Sequence, residues 1–180
     1  KLTVTHSEPV TVTLPTGRLT RDILYVKTTL SQTDLHLFVN HWPSKYGGAE
    51  KSIPLRAAAG KTLRIEVESI LSHDSNAEIV IMGDINDEPI DPSVSVHLGA
   101  SMDLDQVGKG EIILWNVMKP WHRNKEGSTY KYSGKDMVYD HLIISPGLTD
   151  NLRLKWVQNS VGVFDGEKYR QHSGKYYGYP

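Results

Sequence analysis

The chain has 180 residues, enough for one domain with a sizeable core. Its 20 Lys and Arg against 21 Asp and Glu give a formal charge of −1, which excludes a global basic field for gripping a polyanion and leaves only local patches for that task. No cysteine is present, so disulfide and thiol chemistry are excluded, and no stretch approaches the roughly 20 apolar residues of a membrane-spanning helix.

In chain order, residues 2–5 and 10–14 read as the arms of a hairpin about Ser7-Glu8-Pro9. A Pro15-Thr16-Gly17 turn leads into a strand at Ile23-Leu24-Tyr25-Val26, and a polar turn over residues 31–34 into a second at residues 35–39. After Tyr46-Gly47-Gly48 the period changes. Leu55, Ala59, Leu63, Val67 and Ile70 recur at helical spacing, with Ser52 as expected N-cap, Pro54 in the first turn and a stop before His73-Asp74-Ser75-Asn76. The apolar run Ile79-Val80-Ile81-Met82 reads as a strand buried on both faces, so strand, helix and strand suggest a crossover unit. Asp91-Pro92 and Gly99 bracket a short helix, residues 112–118 a further one, and residues 137–145 a strand. Residues 152–163 carry weaker strand signals.

Three clusters at strand ends carry chemistry. In Gly83-Asp84-Ile85-Asn86-Asp87, residues two apart on an extended backbone project together, so Asp84 offers a base beside the donating amide of Asn86; the alternative is a turn whose Asp and Asn satisfy their own backbone. In Asn40-His41-Trp42-Pro43-Ser44, His41 suits protonation of a leaving group or contact with an anion, Pro43 stiffens the turn and Ser44 offers a hydroxyl; a structural loop histidine is the alternative. Asp140 shares the apolar face of Val138, Leu142 and Ile144, where a carboxylate needs a partner. It reads either as an acid that orients a histidine or as a structural ion pair, and His141 faces the other way.

These elements together resemble the endonuclease/exonuclease/phosphatase superfamily, which includes deoxyribonuclease I, sphingomyelinases and inositol-phosphate phosphatases. The resemblance runs through Thr20-Arg21-Asp22-Ile23-Leu24-Tyr25-Val26 and the two clusters at residues 40–44 and 83–87. It continues through Gly127-Ser128-Thr129-Tyr130-Lys131-Tyr132 and Tyr139-Asp140-His141-Leu142-Ile143-Ile144-Ser145. It implies an α/β fold, part of a four-layer α/β/β/α sandwich contributing mostly one sheet with its outer helices. It also implies metal-dependent phosphoester hydrolysis by in-line attack of activated water on phosphorus. By the same resemblance Asp84 orients or deprotonates that water, Asn86 contacts the scissile phosphate, His41 and Ser44 lie near it, Arg21 supplies a cation, and Asp140 orients a catalytic histidine. The implied cofactor is Mg2+ or Mn2+, and the implied substrate a phosphoester of nucleic acid or of a small molecule.

The family's N-terminal Asn and Glu that hold the cation, and its last Ser-Asp-His element, have no match here, and His172 does not replace the missing histidine. Since the chain opens on Lys1 without a signal-like stretch, we read it as a processed, engineered or truncated product. Residues 1–180 are then the central and C-terminal portion of a single domain, partnered by a missing N-terminal half and inactive alone. The alternative is a non-catalytic binding or scaffold remnant of the fold. Trp121-His122-Arg123-Asn124-Lys125 mixes cations and aromatics suited to stacking on bases, or is an ordinary exposed loop.

Overall fold

The computed structural model describes residues 1–123, 127–164, 166–169 and 171–174. Strands β1 (Thr3–Val10), β2 (Ile23–Leu30) and β3 (Thr33–His41) form an antiparallel meander. Ser31 and Gln32 both adopt positive φ, 51° and 69°, giving the tight two-residue turn whose twist suits a hairpin. Helix α1 (Ala49–His73) then crosses to β4 (Glu78–Asp84), which lies parallel to β3 as the crossover reading requires. Two short strands follow, β5 (Ala100–Ser101) and β6 (Leu114–Asn116), then helix α2 (Lys119–Arg123). A ribbon of β7 (Tyr130–Tyr132) and β8 (Lys135–Met137) precedes β9 (Asp140–Ile144). The main sheet has seven strands in the order β1-β2-β3-β4-β9-β6-β5.

Alternation sends Ile23, Phe38, Ile79, Ile81 and Ile143 to one face, where Ala59, Leu63 and Val67 of α1 seal them from water. The other face carries Leu24, Val26, Leu35, Leu37, Val39, Val80 and Met82, and Leu24 and Val39 remain 45% and 41% exposed. So β4 is not enclosed on both faces as its apolar run suggests: Val80 and Met82 are only half-buried. Leu154, Trp156 and Val161 pack over Val80, Trp115, Leu142 and Ile144, covering part of that second face.

Several elements differ from expectation. There is no hairpin at residues 7–9: β1 runs straight through them with an irregularity between Val4 and His6, and Pro9 is tolerated because β1 is an edge strand. Helix α1 starts at Ala49, so Ser52 is no cap. Its hydroxyl instead donates back to the carbonyls of Gly48 and Ala49, at 2.9 and 2.8 Å. Pro54 consequently lies in the helix interior, where its missing N–H leaves the carbonyl of Glu50 without a helical donor. Residues 112–118 contain no helix; Leu114–Asn116 within them form β6, because β9 presents an open edge to which Trp115 and Asn116 pair opposite Ile144 and Ile143. The expected strand over residues 137–145 is split between β8 and β9, and residues 152–163 contain no strand. The short helix after Asp91-Pro92 spans Ser93–Leu98 with wide π-type turns and stops at Gly99, as expected of that glycine.

Candidate active site

The register of the sheet brings three strand ends to one rim. His41 pairs in register with Asp84, and Asp84 with Asp140, so the three side chains stand side by side on one face. His41 Nε2 lies 3.8 Å from Asp84 Oδ2, both partly exposed. Desolvation against the sheet and the neighbouring Asp84 charge raise the Asp140 pKa above the ordinary carboxylate value, opposed by the Thr129 hydroxyl and His41. Thr129 Oγ1 accepts the N–H groups of both Tyr139 and Asp140 at 2.9 Å and so pins the start of β9.

The two strand-end clusters form a single clamp about Trp42, which is 1% exposed. Its backbone N–H donates to the carbonyl of Asp84 at 2.9 Å, and its Nε1–H to Asn40 Oδ1 at 2.9 Å. Its carbonyl accepts from Asn86 Nδ2 at 3.0 Å. Asn86 therefore does not project beside Asp84 as strand alternation predicts. The strand ends at Asp84, Asn86 turns to φ 56°, its backbone N–H bonds Asp84 Oδ1 at 2.9 Å, and its side chain is buried. This is an Asx-type exit in which one amide N–H is already engaged.

Behind the rim lies a charged network that the motif reading misses. Asp87 is buried and meets Arg56 Nε at 2.6 Å and Lys45 Nζ at 3.0 Å, and accepts from the Ser93 hydroxyl at 2.6 Å. Burial alone would raise the Asp87 carboxyl, but Arg56, Ser93 and Lys45 together hold it below the ordinary value. Arg56, 1% exposed on the apolar side of α1, was the available signal: a buried arginine requires an acid. Lys45 also sits 4.8 Å over the Tyr139 ring, tying this network to the turn before Asp140.

His141 faces the opposite side from Asp140, as alternation predicts. Its Nε2–H donates to the carbonyls of Asp87 and Val138, and its Nδ1 accepts from Asn116 Nδ2 at 3.0 Å. Complete burial drives its pKa down to about 4, so at neutral pH it is an uncharged brace between the β4 exit and β9. Arg21 is exposed two residues before β2, whose first residues border the end of β3, so it reaches the same rim by topology with no contact to the acids. Ser44 is exposed in the following loop, its Oγ accepting the N–H of Tyr46 at 3.4 Å. Of the aromatic-basic segment, Trp121 is buried, His122 pairs with Glu88 at 2.7 Å and Arg123 with Asp103 at 2.9 Å; Asn124 and Lys125 lie outside the described residues.

A cavity of about 440 Å³ opens beside Asp140, bounded by Thr129, Lys131 and Asp136 on its polar side and by Met118, Leu142 and Val163 on the other. Among the described residues no three His, Cys, Asp or Glu side chains gather as a metal cage. The rim's two carboxylates and one imidazole fall short of a complete coordination shell, the rest of which waters and phosphate oxygens commonly supply to Mg2+.

A mixed seven-stranded sheet with one long crossover helix and acids at its rim is the α/β architecture of deoxyribonuclease I-like enzymes. The chain belongs to the Endonuclease/Exonuclease/phosphatase family, whose model matches residues 1–180. Solved structures of low identity share the fold. The human Nocturnin catalytic domain with bound sulfate anion is 15% identical, at a TM-score of 0.57 over 81% of this chain and 48% of that one. Truncated Caenorhabditis elegans TDP2 is 14% identical, at 0.55 over 80% and 53%. A family protein from Bacteroides thetaiotaomicron is 13% identical, at 0.52 over 81% and 51%. The chain thus spans about half the length of these structures. No curated protein sequence matches it. The family's description names endonucleases, exonucleases and phosphatases.

Proposed function

We propose that this chain is the central and C-terminal portion of a phosphoester hydrolase domain in which Asp84, His41 and Asp140 form the reacting rim. The observation that carries the reading is the register that sets these three side chains on adjacent strands of one face. In this reading Asp84 accepts a proton from water as its oxygen attacks phosphorus in line. The P–O bond to the leaving group then breaks, and His41, in its protonated form, returns a proton to the departing oxygen. Asp140, clamped by Thr129, orients the rim electrostatically and takes up a proton more readily than an ordinary carboxylate. Asn86 offers its second amide hydrogen, and Arg21 and Ser44 line the approach, as phosphate-binding groups. The cation of this reading, Mg2+ or Mn2+, would need donors beyond the described residues.

The test is hydrolysis of a phosphodiester and a phosphomonoester by the completed domain with Mg2+ or Mn2+ supplied. Asp84→Asn is expected to lower kcat by at least about 100-fold, the scale of general-base loss, with the melting temperature unchanged. Turnover indifferent to Asp84 would sink the reading. Residues 1–180 alone are expected to be inactive, and magnesium-dependent turnover by them, abolished by Asp84→Ala, would overturn that part. The engaged amide of Asn86 favours a second reading, a non-catalytic phosphate-binding remnant; binding without turnover in the completed domain would select it.

A further inference from the structure

A second cavity, also of about 440 Å³, opens at the end of the sheet opposite the rim. Glu78 begins β4 and Asp84 ends it, so about 20 Å of extended strand separates the two sites. Three element ends meet there: the start of β3 at Asp34, the last turn of α1 at Ile70 and His73 with its exit at Asp74, and the start of β4 at Glu78. The charges of this cavity do not balance, since Lys27 and Arg153 face the three carboxylates of Asp34, Asp74 and Glu78. Both cations are already committed. Lys27 Nζ lies 2.7 Å from Asp34 Oδ2, and Arg153 meets Asp74 Oδ2 at 2.8 Å and Glu78 Oε1 at 2.9 Å. Burial and the Lys27 charge push the His36 pKa down, so that ring adds no positive charge.

Glu78 is the residue that points to a ligand. Its side chain is 1% exposed, yet among the described residues Oε1 accepts no aligned hydrogen bond, the Arg153 Nε–H being misdirected despite its short approach. A buried carboxylate oxygen in that state is costly until a donor reaches it. His73 Nδ1–H donates to the Ser69 carbonyl at 2.8 Å, which leaves Nε2 of the neutral ring a further acceptor, and the C-terminal end of α1 adds partial negative charge. Surplus charge and surplus acceptors call for a cation rich in N–H donors. A bare metal ion does not meet that demand, because no three His, Asp or Glu side chains among the described residues stand close enough to cage one. The volume suits a small molecule instead, and Ile70 and Ala77 offer its methylenes an apolar wall. We propose that this cavity binds a small aliphatic amine, its ammonium group donating to Glu78 and its chain lying against Ile70 and Ala77.

This site stands apart from the hydrolase reading, and its test is a binding measurement that needs no turnover. Amide NMR titrations of the full chain at neutral pH and constant ionic strength would compare butylammonium, tetramethylammonium, butanol and sodium ion. Butylammonium is expected to shift Ile70, Asp74, Glu78 and Arg153 saturably. It is expected to bind on the order of tenfold tighter than tetramethylammonium, which brings charge without N–H donors, and than butanol, which brings no charge. Glu78→Gln is expected to weaken binding about tenfold, the scale of one charge-assisted hydrogen bond. Because Glu78 is buried, Ser69→Phe serves as a second variant: it lies at an exposed position of α1, keeps every charge and is expected to block binding by filling the space. Equal affinities for butylammonium and either control, shifts that sodium ion reproduces, or binding unchanged in a folded Ser69→Phe protein would overturn the proposal. Nα-acetyl-lysine methylamide carries the same ammonium on a peptide. Tighter binding of it than of butylammonium would mark a lysine side chain and overturn the assignment to a free amine.

Discussion

Arg56 and Asp87 decide whether the rim keeps its shape, because both charges are buried and each is compensated chiefly by the other. Arg56→Ala leaves the buried Asp87 carboxylate only Lys45 and the Ser93 hydroxyl, and is expected to cost about 3 kcal/mol in urea unfolding, far more than loss of the exposed His41–Asp84 contact. His141 adds a pH dependence whose sign follows from its lowered pKa. Above the ordinary value of 6.5 both folded and unfolded states carry a neutral ring, and its stability contribution is fully present. As pH falls from 6.5 towards about 4 the unfolded chain takes up a proton that the folded chain refuses, so stability drops, by about 3 kcal/mol in all. Unfolding free energies measured across that window are expected to fall steeply for the parent and less for His141→Gln. Equal slopes would show that other groups carry the acid sensitivity. At this scale the motif residues were legible as types, but the use of Asn86 was not. Its turn conformation depends on the Trp42 carbonyl, which lies just past the end of β3, 44 residues earlier.

Among the elements, the junction of β3 and β4 is the most constrained. Gly83 sits at φ 122°, and a Cβ there would lie 2.1 Å from the Asn40 carbonyl oxygen. Gly83→Ala therefore meets both a backbone conformation closed to L side chains and a backbone collision, and is expected to cost about 2–4 kcal/mol. A thermal melt checks it, with Gly134→Ala as control: that exposed turn glycine also has positive φ, 76°, but meets nothing within 4 Å. The crossover β3-α1-β4 was readable because its hydrophobic period changes from two to about four. The strand β6 was not, because a three-residue strand has no period of its own and takes its conformation from the open edge of β9.

Across the whole molecule, the second sheet face is only partly covered by the described residues. Leu24, Val26, Leu37 and Val39 form an apolar surface that the segment around Trp156 does not reach, and in this reading a second layer of the domain covers it. Residues 1–180 alone are expected to self-associate, and paired Leu24→Lys and Val39→Lys changes to restore a monomer by sedimentation velocity. A cooperative, monomeric melt of the unmodified residues would count against a missing layer. By itself the sequence revealed the family it resembles, through its motif residues, and, through local periodicity and residue type, the strands on either side of the long helix and the short clusters at strand tips. Only the tertiary structure decided that His41, Asp84 and Asp140 stand abreast, that Asn86 turns inward, and that a cavity opens beside Asp140. Those facts depend on the register between strands distant in the chain, which backbone hydrogen bonds and side-chain packing set together.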